Sequence, residues 1–364
     1  RRVPRPPPMI TARTRFCVLC MLMKSGKGIF ANALLHVCRR RSFRQIFLRP
    51  AHLMVHLLVT GAAGFIGSHT VDQLLAAGHT VTGVDNFRTG RRQNLAAASQ
   101  SPRFTLHEAD VAAPGVLERI VATARPDAII HLAALVSVQE SMDDPDLNFA
   151  LNVQASHLAI EAARRHGVRR LVFSSSAAIY GDTTDLPIRE ATPKAPISPY
   201  GAAKLASEAL LLGHGAAYGL TVRCQRYFNV FGPRQDPASP YSGVISIFDR
   251  RYREGKAVTI YGDGQQTRDF ISVHDVARAN LIAATRPELR SGAANICTGR
   301  ATSLLEVVGV FRQQYPTLPA PLHAAPRTGD IIHSRGAPEA AAAELGFRSA
   351  VSVEDGLREL IRHG

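Results

Sequence analysis

A short apolar run at residues 56–60 breaks into Gly61-Ala62-Ala63-Gly64-Phe65-Ile66-Gly67, and apolar residues then recur at helical spacing over 65–77. No other feature constrains the chain as much as this strand, glycine turn and helix. Glycines at such a turn let the backbone come up against a pyrophosphate, and the helix start offers free N–H groups and a positive dipole end. The rhythm then continues. β-rich runs at 80–85, 104–108, 128–132 and 170–174 follow, and 146–166 has the period of a long amphipathic helix that stops at Gly167. Strands alternating with helices predict an α/β fold, a doubly wound parallel sheet with right-handed crossovers. Beyond Gly232 the alternation gives way to Pro/Gly-punctuated segments and helices such as 273–285, which predicts a smaller lobe grafted on the sheet. The expected division is a basic leader at 1–53, a nucleotide-binding domain at 54–232, and mainly a substrate lobe at 233–364.

Asp85 ends the second β-rich run. A carboxylate there accepts from a ribose 2′-hydroxyl and repels a 2′-phosphate, which favours NAD over NADP. Arg88 and Arg91 stand close in sequence and pull the other way. Tyr200-Gly201-Ala202-Ala203-Lys204 places a tyrosine and a lysine four apart, on one helix face. A tyrosine with its ordinary pKa of about 10 is too protonated to act as a base near neutrality. A neighbouring ammonium and the positive nicotinamide ring favour its phenolate. The strand end Phe173-Ser174-Ser175-Ser176 precedes it, with Ser176 placed to hydrogen-bond the reacting oxygen. A Ser, Tyr, Lys order after a glycine turn points to hydride transfer at a hydroxyl-bearing carbon.

Taken in order, these motifs resemble the extended short-chain dehydrogenase/reductases, and within them the NAD-dependent epimerase/dehydratase family, nearest its UDP-hexose 4-epimerase branch. The G-x-x-G-x-x-G spacing carries the resemblance first, and later motifs extend it over essentially all of 54–364. It implies a Rossmann-type domain and a cofactor set made of Gly61, Gly64, Phe65, Ile66, Gly67, Asp85, Asn86, Asp110, Val111, Leu132, Ala133, Ala134, Asn152, Ser174, Tyr200, Lys204 and Tyr227. Asp110-Val111 resembles the pair that meets the adenine, and His131-Leu132-Ala133-Ala134 the strand end beneath the nicotinamide side. Ser176, Tyr200 and Lys204 are the implied catalytic residues. Dehydratase relatives carry acidic residues just after the hydroxyl residue, and decarboxylating relatives a Glu. Ala177 and Ala178 stand here instead. Oxidation followed by re-reduction remains, which is epimerisation.

On the sugar-nucleotide side, three segments resemble family elements. They are Arg226-Tyr227-Phe228-Asn229-Val230-Phe231-Gly232-Pro233, the loop from Tyr261 through Arg268 to Phe270, and Arg327-Thr328-Gly329-Asp330. With Ser176 and Tyr200, they imply Phe228, Asn229, Arg268, Arg327, Asp330 and Ser334 as substrate-binding residues. Arginine forks bind a diphosphate by geometry as well as charge. The implied mechanism keeps NAD bound: C4 of a UDP-hexose is oxidised, and the 4-keto sugar turns about its diphosphate tether and is reduced on its other face. Ser334 stands where plain-hexose members often have a tyrosine, leaving room for a 2-acetamido group. Two other readings stay open. One is a UDP-uronic acid epimerase, with Arg189, Arg234 or His333 on the carboxylate; the other is a non-catalytic NAD-sensing regulator. Homodimerisation through helices around 146–166 and 200–219 is implied by the resemblance alone.

The net charge of +14 has to be located before it is read. Residues 1–53 hold twelve Lys or Arg and no Asp or Glu, which leaves only +2 for 54–364. A nucleic-acid binder needs its basic face on the folded part, so no nucleic-acid partner is expected. The leader has the acid-free composition of a transit peptide and a short apolar run at 16–23, but targeting patterns of this quality arise by chance. The expectation is a disordered or non-native start, with Met54 as initiator. Cys17, Cys20, His36 and Cys38 lack the regular spacing of a zinc site, so no metal is expected. Cys224 and Cys297 sit singly in apolar stretches, as core thiols of a reducing compartment do. No apolar run reaches the length of a membrane span, and the expected location is cytoplasmic.

Overall fold

The computed structural model of the protein describes residues 54–236, 243–315, 317–326 and 331–363. Residues 1–53, and with them the leader and its cysteines, lie outside the described residues. The first half runs β1 (His56–Thr60), α1 (Phe65–Ala76), β2 (Thr80–Asp85), β3 (Phe104–Glu108), α2 (Val116–Ala124) and β4 (Ala128–His131). It continues through α3 (Val138–Asp143), α4 (Pro145–Asn148), α5 (Ala155–Arg165), β5 (Arg170–Ser176), α6 (Pro199–Tyr218), β6 (Thr221–Tyr227) and β7 (Asn229–Phe231). The remainder is α7 (Val244–Arg253), β8 (Thr259–Tyr261), β9 (Thr267–Arg268), β10 (Phe270–Ser272), α8 (Val273–Thr285) and β11 (Gly292–Ile296). Last come β12 (Thr302–Ser303), α9 (Leu304–Gln314), β13 (Leu322–Ala324) and α10 (Val353–His363).

Seven strands form one sheet in the order β11-β6-β5-β4-β1-β2-β3, every neighbouring pair parallel. Parallel sheets are covered on both faces, and the side chains alternate accordingly. Leu58, Ile129, Leu171 and Phe173 pack against Leu117, Val121, Ile160 and Leu211 of α2, α5 and α6. Leu57, Val59, Ile130 and Val172 face Val71 and Leu74 of α1 and Ala283 of α8. The order reverses between β1 and β4. A crevice must open there at the carboxyl ends of the strands, because successive crossovers leave to opposite sides.

The segment expected to form a lobe does more than that. Its α7, α9 and α10 pack Phe248, Tyr252, Val307, Phe311 and Leu357 around Phe231 and Phe270 as a second core. The same segment also returns to the sheet, adding β11 beside β6 and laying α8 beside α1 on the second face. The helix expected at 146–166 is also modified. Between α4 and α5 the turn Phe149–Gln154 is π-helical, a single-turn widening often found at functional sites.

Candidate active site

At the switch point lies a cleft of about 680 Å³. Its floor is the glycine turn. Gly61 has φ +69°, and a Cβ there would stand 2.8 Å from the N of Ala133. At Gly67 a Cβ would stand 1.9 Å from the carbonyl oxygen of Gly61. The turn therefore closes tightly and leaves the start of α1 bare toward the cleft, as a pyrophosphate requires. Asp85 is buried and accepts from the N–H groups of Ala63 and Phe87, each at 2.8 Å. Both of its oxygens keep a lone pair for ribose hydroxyls. Arg88 is paired with Glu140, and Arg91 with Asp236 at 2.7 Å. Both arginines near Asp85 thus already face carboxylates, which weakens the case for a 2′-phosphate.

The cleft wall contains Gly61, Gly64, Phe65, Ile66, Gly67, Asp85, Asn86, Asp110, Val111, Leu132, Ala133, Ala134, Ser174, Ser176, Tyr200, Lys204, Tyr227 and Phe228. Of the expected cofactor residues only Asn152 is absent from it. Asn152 is buried in the π-helical turn, one layer behind. Its amide donates to the Leu135 carbonyl at 3.0 Å and to Asn148 Oδ1 at 2.7 Å. It therefore shapes the loop after β4 from outside the cleft. At the end of β4, Thr60 Oγ1 accepts from Leu132 and Ala133 N–H groups, both at 3.2 Å. The same hydroxyl meets His131 Nδ1 at 2.8 Å. Burial and the charge of Lys204 lower the pKa of that ring to about 3.

Sheet and helix bring the three catalytic candidates together. Ser176 is the last residue of β5, while Tyr200 and Lys204 share one face of α6. Lys204 is buried, donates to the Ser174 carbonyl at 2.9 Å, and has its ammonium 5.9 Å from the Tyr200 ring centre. Burial lowers the Lys204 pKa to about 7. Burial also raises that of Tyr200, and a hydrogen bond with Ser176 pulls it back down. Behind them Glu208 of α6 forms a buried ion pair with Arg226 and accepts from Ser175 Oγ at 2.7 Å. This pair locks helix to strand directly beneath Ser176. Its partners are eighteen residues apart on different elements, so no local spacing announces it.

The sugar-side candidates gather around one stretch of main chain. The Asn229 N–H donates to the Asp269 carbonyl at 3.0 Å, and the Ser334 N–H to the Thr267 carbonyl at 3.1 Å. Arg268 lies between them, its guanidinium 2.9 Å from the Thr267 carbonyl. Arg327 and Asp330 lie outside the described residues. The organising residue is Asp269, fully buried inside a motif read for its arginine. Its carboxylate accepts from Thr298 N and Oγ1, Gly299 N and Gly336 N at 2.7–3.2 Å. The three residues considered for a carboxylate ligand all have partners. Arg234 pairs with Asp72 at 2.8 Å, Arg189 with Glu339 at 3.9 Å, and His333 Nδ1 meets Thr267 Oγ1 at 3.0 Å. Among the described residues no cluster suited to a metal occurs, and no helix is long and apolar enough to cross a membrane.

Comparison with known proteins gives this geometry a family. A UDP-glucose 4-epimerase of Mycolicibacterium smegmatis is 38% identical over 305 residues, 84% of this chain and 96% of that protein. The crystal structure of Thermus thermophilus UDP-glucose 4-epimerase in complex with NAD superposes with a TM-score of 0.76 at 37% identity. It covers 85% of this chain and 98% of that one. A UDP-N-acetylglucosamine 4-epimerase from Methanobrevibacter ruminantium, in complex with UDP-N-acetylmuramic acid, gives 0.80 at 33%, covering 85% and 97%. The profile of the NAD dependent epimerase/dehydratase family matches residues 57–297. That match opens on the first strand of the sheet and closes just past β11, so it takes in the whole cofactor-binding layer, and the chain belongs to the NAD dependent epimerase/dehydratase family.

Proposed function

We propose that the protein is a UDP-sugar 4-epimerase working with a retained NAD. The observation that carries this reading is the placement of Ser176, Tyr200 and Lys204 at the cleft, with Ala177 and Ala178 following the serine. An elimination needs an acid and a base at that point, and two alanines supply neither. Bound in the cleft, NAD supplies a reversible hydride acceptor for C4. Tyr200 takes the proton of the C4 hydroxyl and later returns it, while Ser176 holds the same oxygen. Lys204, when protonated, opposes the effect of burial and favours the phenolate. Asn229 and Arg268, with Arg327 and Asp330, hold the nucleoside diphosphate as a tether, so the keto sugar can turn and present its other face.

UDP-glucose, the sugar nucleotide in the names of two of the relatives, and its C4 epimer UDP-galactose are the first substrate pair. Small Ser334 supports N-acetylhexosamines as a second. Residues 54–232 serve mainly the cofactor and 233–364 mainly the sugar nucleotide. A homodimer through α4, α5 and α6 is supported by exposed Phe149 and Tyr218, and by Ala202, Ala206, Ala209 and Gly213 on the open face of α6. A cytoplasmic location agrees with the two buried free thiols. The test is incubation of the purified protein with UDP-galactose, UDP-N-acetylgalactosamine and UDP-galacturonate, no NAD added. C4-epimeric products from the first two are expected. No conversion of any, even with NAD supplied, rejects the reading; conversion of the galacturonate alone replaces it with the uronic acid epimerase.

A further inference from the structure

The first N–H groups of a helix have no partner within the helix and must find one elsewhere. In α6, Pro199 has none to satisfy. Gly201 N–H donates to Ser198 Oγ at 3.1 Å, and Ala202 N–H to the Ser198 carbonyl at 3.0 Å. That leaves Tyr200, and its partner comes from another element: Ser141 Oγ of α3, at 3.1 Å. Ser141 is fully buried, and its hydroxyl proton goes to the Val138 carbonyl at 2.6 Å, which leaves its oxygen as acceptor for Tyr200. Asn148 adds a second tie, donating to the Pro199 carbonyl at 3.1 Å.

The opposite side of the turn is held by contact. A Cβ on Gly201 would stand 2.7 Å from the carbonyl oxygen of Ala178. Ala178 in turn donates its N–H to Ser176 Oγ at 3.1 Å. The turn that bears Tyr200 therefore rests directly on the backbone that bears Ser176, and only a residue without a side chain allows that approach.

We propose that Ser141 and Gly201 are positioning residues, which together fix the turn carrying Tyr200 against the turn carrying Ser176 so that base and hydroxyl reach the same substrate oxygen. This rests on the epimerase reading. Neither residue touches the substrate. Their effect is on the alignment of the proton transfer, where a displacement of about 1 Å costs on the order of 100-fold.

The experiment is a pair of double-mutant cycles in the full-length protein. Turnover, KM, copurified NAD and melting temperature are measured for Ser141→Ala, Gly201→Ala, Tyr200→Phe and the two doubles. Each positioning variant is expected to lower kcat about 10- to 100-fold, with KM and NAD content close to wild type. In the Tyr200→Phe background neither is expected to lower the residual rate further, because its effect passes through the tyrosine. The same fold-loss with and without Tyr200 overturns the proposal, and so does a rise in KM in place of a fall in kcat. If Ser141→Ala does not fold, Gly201→Ala carries the same cycle. A wild type that epimerises no UDP-sugar removes the underlying reading. A wild type that does so, matched by both single variants, removes the positioning alone.

Discussion

The cofactor cleft is walled by main chain packed on a seven-stranded sheet, with Gly61 and Gly67 pressed against neighbouring backbone. The sugar-side cluster instead hangs on strands of two or three residues, stitched together by the carboxylate of Asp269. An enzyme that oxidises and re-reduces one carbon must keep its cofactor through many cycles, yet let the sugar turn between the two steps. Rigid backbone suits the first demand and a tethering patch the second. The comparison breaks first at Gly67. In Gly67→Val the side chain must enter a space already 1.9 Å from the Gly61 carbonyl at its Cβ. Overpacking of this kind costs about 1–3 kcal/mol, and the glycine turn on the floor of the cleft takes the displacement. Copurified NAD and activity are expected to vanish together. A variant that still carries stoichiometric NAD would show that the cleft is not held this way.

Acid should strike the cofactor half as well. His131 is held neutral with a pKa of about 3, and His69 of α1 with one of about 4, in both cases chiefly by burial. In the unfolded chain both titrate near 6.5. Below that value the unfolded state binds protons that the folded state refuses, so stability present at pH 7 is lost as pH falls toward 4. The expected loss is about 2 kcal/mol per histidine between pH 6.5 and 5. Chemical denaturation across this range measures it, and His69→Gln should flatten the slope by roughly half. An unchanged slope would mean that His69 is not held neutral.

The cofactor half was also the more legible in sequence. A glycine turn, an acid at the next strand end and a Tyr–Lys pair four apart are local patterns, and local patterns survive in a bare sequence. The strands β1 to β5 and the helix α1 follow from the same periodicity. The π-helical turn at Asn152 does not, because widening a helix by one residue leaves its apolar period nearly intact. Nor does the return of β11 to the sheet, since a strand of Gly-Ala-Ala-Asn-Ile carries little β-forming character of its own. On the sugar side the motif around Arg268 was visible, but the role of Asp269 was not. Its partners at Thr298, Gly299 and Gly336 are distant in sequence, and a buried aspartate looks the same on paper as a solvated one.

Asp269→Asn is therefore the variant that separates the halves. The amide keeps the shape but places a donor where N–H groups point, leaving at least one of them unpaired at a cost of about 1–3 kcal/mol. Asn229 and Arg268 sit on either side and lose their registration. KM for the UDP-sugar is expected to rise about tenfold, corresponding to ~1.4 kcal/mol, while copurified NAD stays at the wild-type level. Loss of NAD in this variant would mean that the two halves form one cooperative unit.

The smallest effect is expected at Ser334, and it tests whether the sugar side leaves room as well as a tether. Ser334 is largely buried, with its N–H on the Thr267 carbonyl beside Arg268. A tyrosine ring there must take volume from the patch that holds Asn229 and Arg268. Ser334→Tyr should keep its NAD and its turnover of UDP-galactose within about twofold, and lose N-acetylgalactosamine turnover by roughly tenfold, the discrimination a shape difference in a pocket commonly supplies. The ratio of the two kcat/KM values measures this directly. Equal loss for both sugars would place Ser334 under the diphosphate and not beside C2. No loss for either would remove it from the site, and the second substrate class would then rest on the relatives alone.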